Sequence, residues 1–88
     1  MRNLTPLAMI LDLSTLYAAT GSARLADLPA YEARVKELVP PGSDVTMTGP
    51  APIWLYLRVA HTLHGWVKGL VYDSPVTGPV QIFDHDAR

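Results

Sequence analysis

Residues 7–13 read Leu-Ala-Met-Ile-Leu-Asp-Leu, an almost unbroken apolar run of strand length. Such a run predicts a strand covered on both faces, the first and central strand of a parallel sheet. Residues 14–27 carry Ser, Thr, Gly and four Ala without a period, which predicts a loop with a short helical turn. After Pro29, Tyr31, Val35, Leu38 and Val39 fall on one helical face while Glu32, Arg34, Lys36 and Glu37 fall elsewhere. This amphipathic helix stops at Val39, because Pro40 and Pro41 cannot continue it. Residues 44–48 alternate polar with apolar at period two and run into Gly49-Pro50, a second strand entering a turn.

Pro52 then opens a second helix that Gly65 closes. It is apolar nearly all round, with Arg58 its only formal charge, so it is expected to be buried on more than one side, by the sheet and by a second subunit. Two further strand-length runs, 67–73 and 79–85, flank the turn-rich segment 74–78 and predict a hairpin. The order is β-α-β-α-β-β. Right-handed crossovers then give a three-layer α/β domain spanning 1–88, its sheet mostly parallel with a C-terminal antiparallel hairpin.

Eighty-eight residues, 49% hydrophobic and 17% charged, hold one core and leave no room for a second. With no cysteine, thiol catalysis, thiolate zinc sites and disulfide staples are excluded. So small a core without a staple is expected to gain stability from a partner subunit. The net charge of −1 provides no basic coat for gripping long nucleic acid, yet permits a compact anionic ligand. No stretch approaches the ~20 apolar residues of a membrane span, and the start shows no small-residue cleavage site, so a cytoplasmic location is expected.

In an open parallel sheet, ligands sit beyond the carboxyl ends of the strands. Three such ends are polar here: Asp12-Leu13-Ser14, Thr48-Gly49-Pro50-Ala51 and Asp73-Ser74. Thr48 and Gly49 offer a hydroxyl and an approachable backbone beside a helix start, whose dipole favours a phosphate. Ordinary helix capping accounts for the same residues, and Pro50 and Pro52 remove two amide donors. His61 and His64 are neighbours on one helical face. Asp73 closes the third strand, and Asp84-His85-Asp86 closes the fourth. Two imidazoles and a carboxylate suit a divalent metal or proton transfer at a phosphodiester, since imidazole titrates near neutral pH. Each histidine taken singly also fits a packed or surface role, and the two histidine positions and Asp73 need not share one edge of one subunit. Of the aromatics, Trp54 and Tyr56 follow the Gly49 turn and are candidates for base stacking, whereas Trp66, Tyr72 and Phe83 are expected in the core.

Across residues 48–86, the segment Thr48-Gly49-Pro50-Ala51-Pro52-Ile53-Trp54-Leu55, then Ala60-His61, His64, Val71-Tyr72-Asp73 and His85, resembles the third family of CRISPR-associated ring nucleases. The resemblance implies a small Rossmann-like homodimer that binds cyclic tetra-adenylate, stacks dimers on the ligand and degrades it with manganese. It implies a phosphodiesterase acting through His64, Asp73 and His85, as catalytic groups or as manganese ligands. It further implies ligand binding through Thr48, Gly49, Pro50, Pro52 and Ile53. Family members continue after Tyr-Asp with proline and arginine, whereas Ser74 and Pro75 stand here. The alternatives are a non-catalytic cyclic oligoadenylate sponge or sensor subunit, a manganese-dependent RNA 3′-deadenylase, and a plain interaction module.

Overall fold

The computed structural model describes residues 8–85. Its strands are β1 (Ala8–Asp12), β2 (Asp44–Thr48), β3 (Gly69–Ser74) and β4 (Gly78–Asp84). Its helices are α1 (Leu28–Leu38) and α2 (Ile53–Leu63), with 3-10 turns at Leu13–Tyr17 and Leu25–Asp27 inside the expected loop. The strands lie in chain order, β1-β2-β3-β4. β1, β2 and β3 are parallel, and β4 closes the sheet antiparallel to β3.

The period-two alternation of β2 is realised directly: Val45 and Met47 are buried, and Asp44, Thr46 and Thr48 are half-buried. The buried pair faces Leu55, Val59 and Leu63 of α2, spaced four apart, and Tyr31 and Val35 of α1. Leu11, Val39 and Leu70 complete the core. Trp66 fastens the helix-strand junction by donating its indole N–H to the Val39 carbonyl at 2.8 Å.

Two sequence expectations are corrected. β1 is an edge strand, not the central one, and Ile10 on it is 72% exposed; the expected start at Leu7 lies outside the described residues. Two right-handed crossovers that step in the same direction put α1 and α2 side by side on one face of the sheet. The described residues therefore form two layers, and the opposite face, with Ile10, Thr46 and Val71, has no third layer over it. Within the chain α2 buries Leu55, Val59 and Leu63 against the core. Ile53 and Leu57, on its outer side, are 78% and 65% exposed. Among the described residues, no helix is long and apolar enough to cross a membrane.

Candidate functional site

The parallel strands end together at one edge of the sheet, and the helices return to the other. Each edge carries part of the residue set singled out from sequence.

At the carboxyl edge, Asp12 and Thr48 end β1 and β2, and Asp73 is the penultimate residue of β3. The Asp12 carboxylate accepts hydrogen bonds from the Ser14 amide at 2.9 Å and the Ser14 hydroxyl at 2.7 Å, capping the first 3-10 turn. It lies against Gly49, where its approach leaves no room for a Cβ and where the φ of +98° independently favours glycine. Two tyrosines hold the next two carbonyls: Tyr56 donates to Gly49 O at 2.6 Å, and Tyr17 donates to Pro50 O. Burial, aided by Tyr72 and Asp12 nearby, pushes the Tyr56 hydroxyl up to about 12, so it stays a donor. Leu55 and Tyr56 both donate their amides to the Pro52 carbonyl. That leaves the amides of Ala51, Ile53 and Trp54 without an acceptor among the described residues. A concavity of about 530 Å³ opens here, walled by Thr48, Gly49, Ala51, Tyr56, Tyr72 and Asp73. Tyr56 and Tyr72 meet edge to face with centroids 4.9 Å apart. Free amides and the Thr48 hydroxyl can donate to a phosphate, while the exposed Asp73 carboxylate can accept from a ribose hydroxyl or an adenine amino group. Pro50 and Pro52 shape the turn without contributing donors, and Ile53 projects into solvent.

At the opposite edge, His64 caps α2, its amide donating to the carbonyls of Ala60 at 3.0 Å and His61 at 3.2 Å. His85 follows β4, its amide donating to Lys68 O at 2.8 Å and extending the ladder. Their imidazoles meet with centroids 4.8 Å apart at 63°. Phe83 supports both rings, 5.1 Å from His64 and 4.7 Å from His85. Two exposed imidazoles held against each other are a ready acid and base pair.

Asp73 is not part of this cluster. It pairs with Pro79 beside the hairpin turn, whereas Asp84, next to His85, pairs with Gly69 at the far end of β3. Four strand residues, about 13 Å, separate the two levels. One chain thus brings His64 and His85 together and sets Asp73 beside the Thr48-Gly49 turn. Among the described residues no three His, Asp or Glu side chains are grouped to hold a metal; Asp86 lies outside them. His61 makes no ring contact with the imidazole pair and lines a groove between α1 and α2 that reaches His64. Of the aromatics, Tyr56 borders the turn as expected, and Tyr72 joins it there. Sequence reasoning missed Tyr17 and Phe83. The position of Phe83 two residues before His85, on the same side of a strand, was a usable signal; Tyr17, 33 residues from Pro50, left none.

No curated protein and no solved structure matches the chain. A family model does, that of the CRISPR-associated protein Cas_csx3, over residues 25–88. The matched span holds α1, β2, α2, the β3–β4 hairpin, the Thr48-Gly49 turn and the His64–His85 pair, and the chain belongs to the Cas_csx3 family of CRISPR-associated proteins.

Proposed function

We propose that this CRISPR-associated protein is a ring nuclease that binds cyclic tetra-adenylate between subunits and cleaves its 3′–5′ phosphodiesters. The observation that carries the reading is the contact of the His64 and His85 imidazoles, exposed on a Phe83 support. In this reaction the neutral imidazole takes the proton of a ribose 2′-hydroxyl, and the freed oxygen attacks the adjacent phosphorus. The protonated imidazole gives its proton to the leaving 5′ oxygen. A 2′,3′-cyclic phosphate and a 5′-hydroxyl result.

The ring is anchored at the other edge, by the Thr48-Gly49 turn, the amides of Ala51, Ile53 and Trp54, and Asp73. A tetranucleotide ring is too large for one 88-residue chain to enclose, and its symmetry suits a receptor that offers the same turn twice. Because the turn and the imidazoles occupy opposite edges, a complete site takes the turn from one copy and the histidines from another. Among the described residues of one chain the two imidazoles have no third His, Asp or Glu grouped with them, a donor set that does not fit manganese. No step is routed through it.

The test incubates the pure protein with labelled cyclic tetra-adenylate, with manganese or with chelator, beside His64→Ala, His85→Ala and Asp73→Ala. The expected result is loss of cleavage with binding kept in the histidine variants, and weakened binding in Asp73→Ala. Mass analysis then finds cyclic phosphate ends; linear phosphate ends indicate attack by water instead. Unchanged cleavage in all three variants overturns the reading. Linear oligoadenylate cut preferentially at its 3′ end, or stoichiometric protection of the ring without turnover, returns the protein to a deadenylase or a sponge.

A further inference from the structure

The turn that leaves β2 is gripped from the side of β1. Tyr17 closes the 3-10 turn Leu13–Tyr17, which the Asp12 carboxylate caps through Ser14, and its half-buried ring packs on the core. Its hydroxyl donates to the Pro50 carbonyl, 33 residues on. Tyr17 lies outside residues 25–88, which the family model matches, and outside the walls of the concavity beyond β2. The strands run in the order β1-β2-β3, so Tyr17 stands on one flank of the turn. The concavity, with Tyr72 and Asp73 of β3 in its wall, opens on the other.

The Pro50 carbonyl and the Ala51 N–H belong to one peptide unit, and that unit is trans. In a planar trans unit the C=O and the N–H point in opposite directions. Holding the carbonyl at Tyr17 therefore turns the Ala51 amide toward the concavity, where it has no acceptor among the described residues. The proline ring locks φ of Pro50 and leaves its ψ free, so the chain by itself permits this peptide to turn over. A flipped unit presents to the concavity a carbonyl oxygen, which accepts hydrogen bonds and repels an anion. Tyr56 exerts no such control: it holds the Gly49 carbonyl, and the nitrogen of that unit belongs to Pro50 and carries no hydrogen.

We propose that Tyr17 is a positioning residue that locks the Pro50–Ala51 peptide, so that the Ala51 N–H is presented to a phosphate in the concavity. Its part in ring binding rests on the proposed function; the direction of the amide does not.

The experiment combines two changes in the full-length chain. Tyr17→Phe keeps the ring and removes the hydroxyl, and an ester in place of the Ala51 amide, introduced by chemical synthesis, removes the N–H. Nuclear magnetic resonance of the free protein reads the peptide plane, because the Overhauser intensity between Pro50 Hα and the Ala51 amide proton depends on ψ of Pro50. Tyr17→Phe is expected to change that intensity and to broaden or split the Ala51 signal. Calorimetry with cyclic tetra-adenylate reads the consequence. Each change alone is expected to weaken binding about tenfold, as for a lost hydrogen bond to a charged group, and the two together still about tenfold. If Tyr17 merely braces the turn, the two losses multiply to about a hundredfold and the Ala51 signal of Tyr17→Phe matches the wild type. Either result overturns the proposal. A wild-type protein that binds no ring removes the nuclease reading, and a turned Ala51 amide in Tyr17→Phe then still upholds the lock.

Discussion

A methyl group on Gly49 tests the architecture of the carboxyl edge. A Cβ built there stands 2.7 Å from the Asp12 carboxylate carbon and collides with its Oδ1, and the residue sits at φ +98°. An alanine held in that backbone region costs about 1–2 kcal/mol. Relieving the collision pushes Asp12 off Ser14, losing a capping interaction of about 1 kcal/mol. Gly49→Ala is therefore expected to destabilise by about 2–3 kcal/mol, or about 10–20 °C of melting temperature in a domain this size. A urea and thermal unfolding cycle with Asp12→Ala isolates the collision. The double variant has already lost the cap and has no carboxylate to displace, so its total is expected to fall short of additive by about 1 kcal/mol. Gly49→Ala within about 0.5 kcal/mol of wild type, or strict additivity in the cycle, would refute the packing of Asp12 on the turn.

Other outcomes follow from single contacts. Tyr56→Phe leaves the Gly49 carbonyl without its donor and is expected to cost about 1 kcal/mol in urea unfolding. Tyr56 also ties stability to alkaline pH: its hydroxyl ionises near 10 when unfolded and about 12 when folded, so the stability it lends is full below pH 10 and lost as pH rises to about 12. That decline, at most about 1.4 kcal/mol per pH unit, should disappear from the pH-resolved unfolding of Tyr56→Phe. Leu55→Ala, at a fully buried position between α2 and the sheet, is expected to lose about 2–5 kcal/mol by the same assay. His85→Ala should lower the turnover of cyclic tetra-adenylate by about 10²–10⁴ with ring affinity retained, measured by single-turnover cleavage beside calorimetry.

The local signals in the chain were strong enough to set most elements. Asp44–Thr48 follows from its alternation alone, Pro52 and Gly65 bracket α2, and the turn residues after Asp73 locate the hairpin. The position of β1 was not legible, because an unbroken apolar run does not say whether both of its faces are covered; that depends on the direction of the crossovers, a property of the whole sheet. The same holds for α2, whose apolar outer side is explained by nothing inside one chain. At the site, the strand-end rule located the Thr48-Gly49 turn and its companions. The separation of Asp73 from His85 follows from hairpin pairing: a residue next to the turn and one twelve positions later stand at opposite ends of the same ribbon. The meeting of His64 with His85 required the third dimension, since the end of α2 and the end of β4 reach one edge only through the register of Gly69 with Asp84.

The central claim, that a cleaving site joins the turn of one copy to the imidazoles of another, is tested most directly by mixing two inactive variants. His85→Ala keeps the turn and Asp73→Ala keeps the imidazole pair. At a ring concentration too low for Asp73→Ala to bind, where neither variant alone turns over cyclic tetra-adenylate, the account predicts that equal amounts of the two regain cleavage when combined. A mixture no more active than its separate components would contradict it.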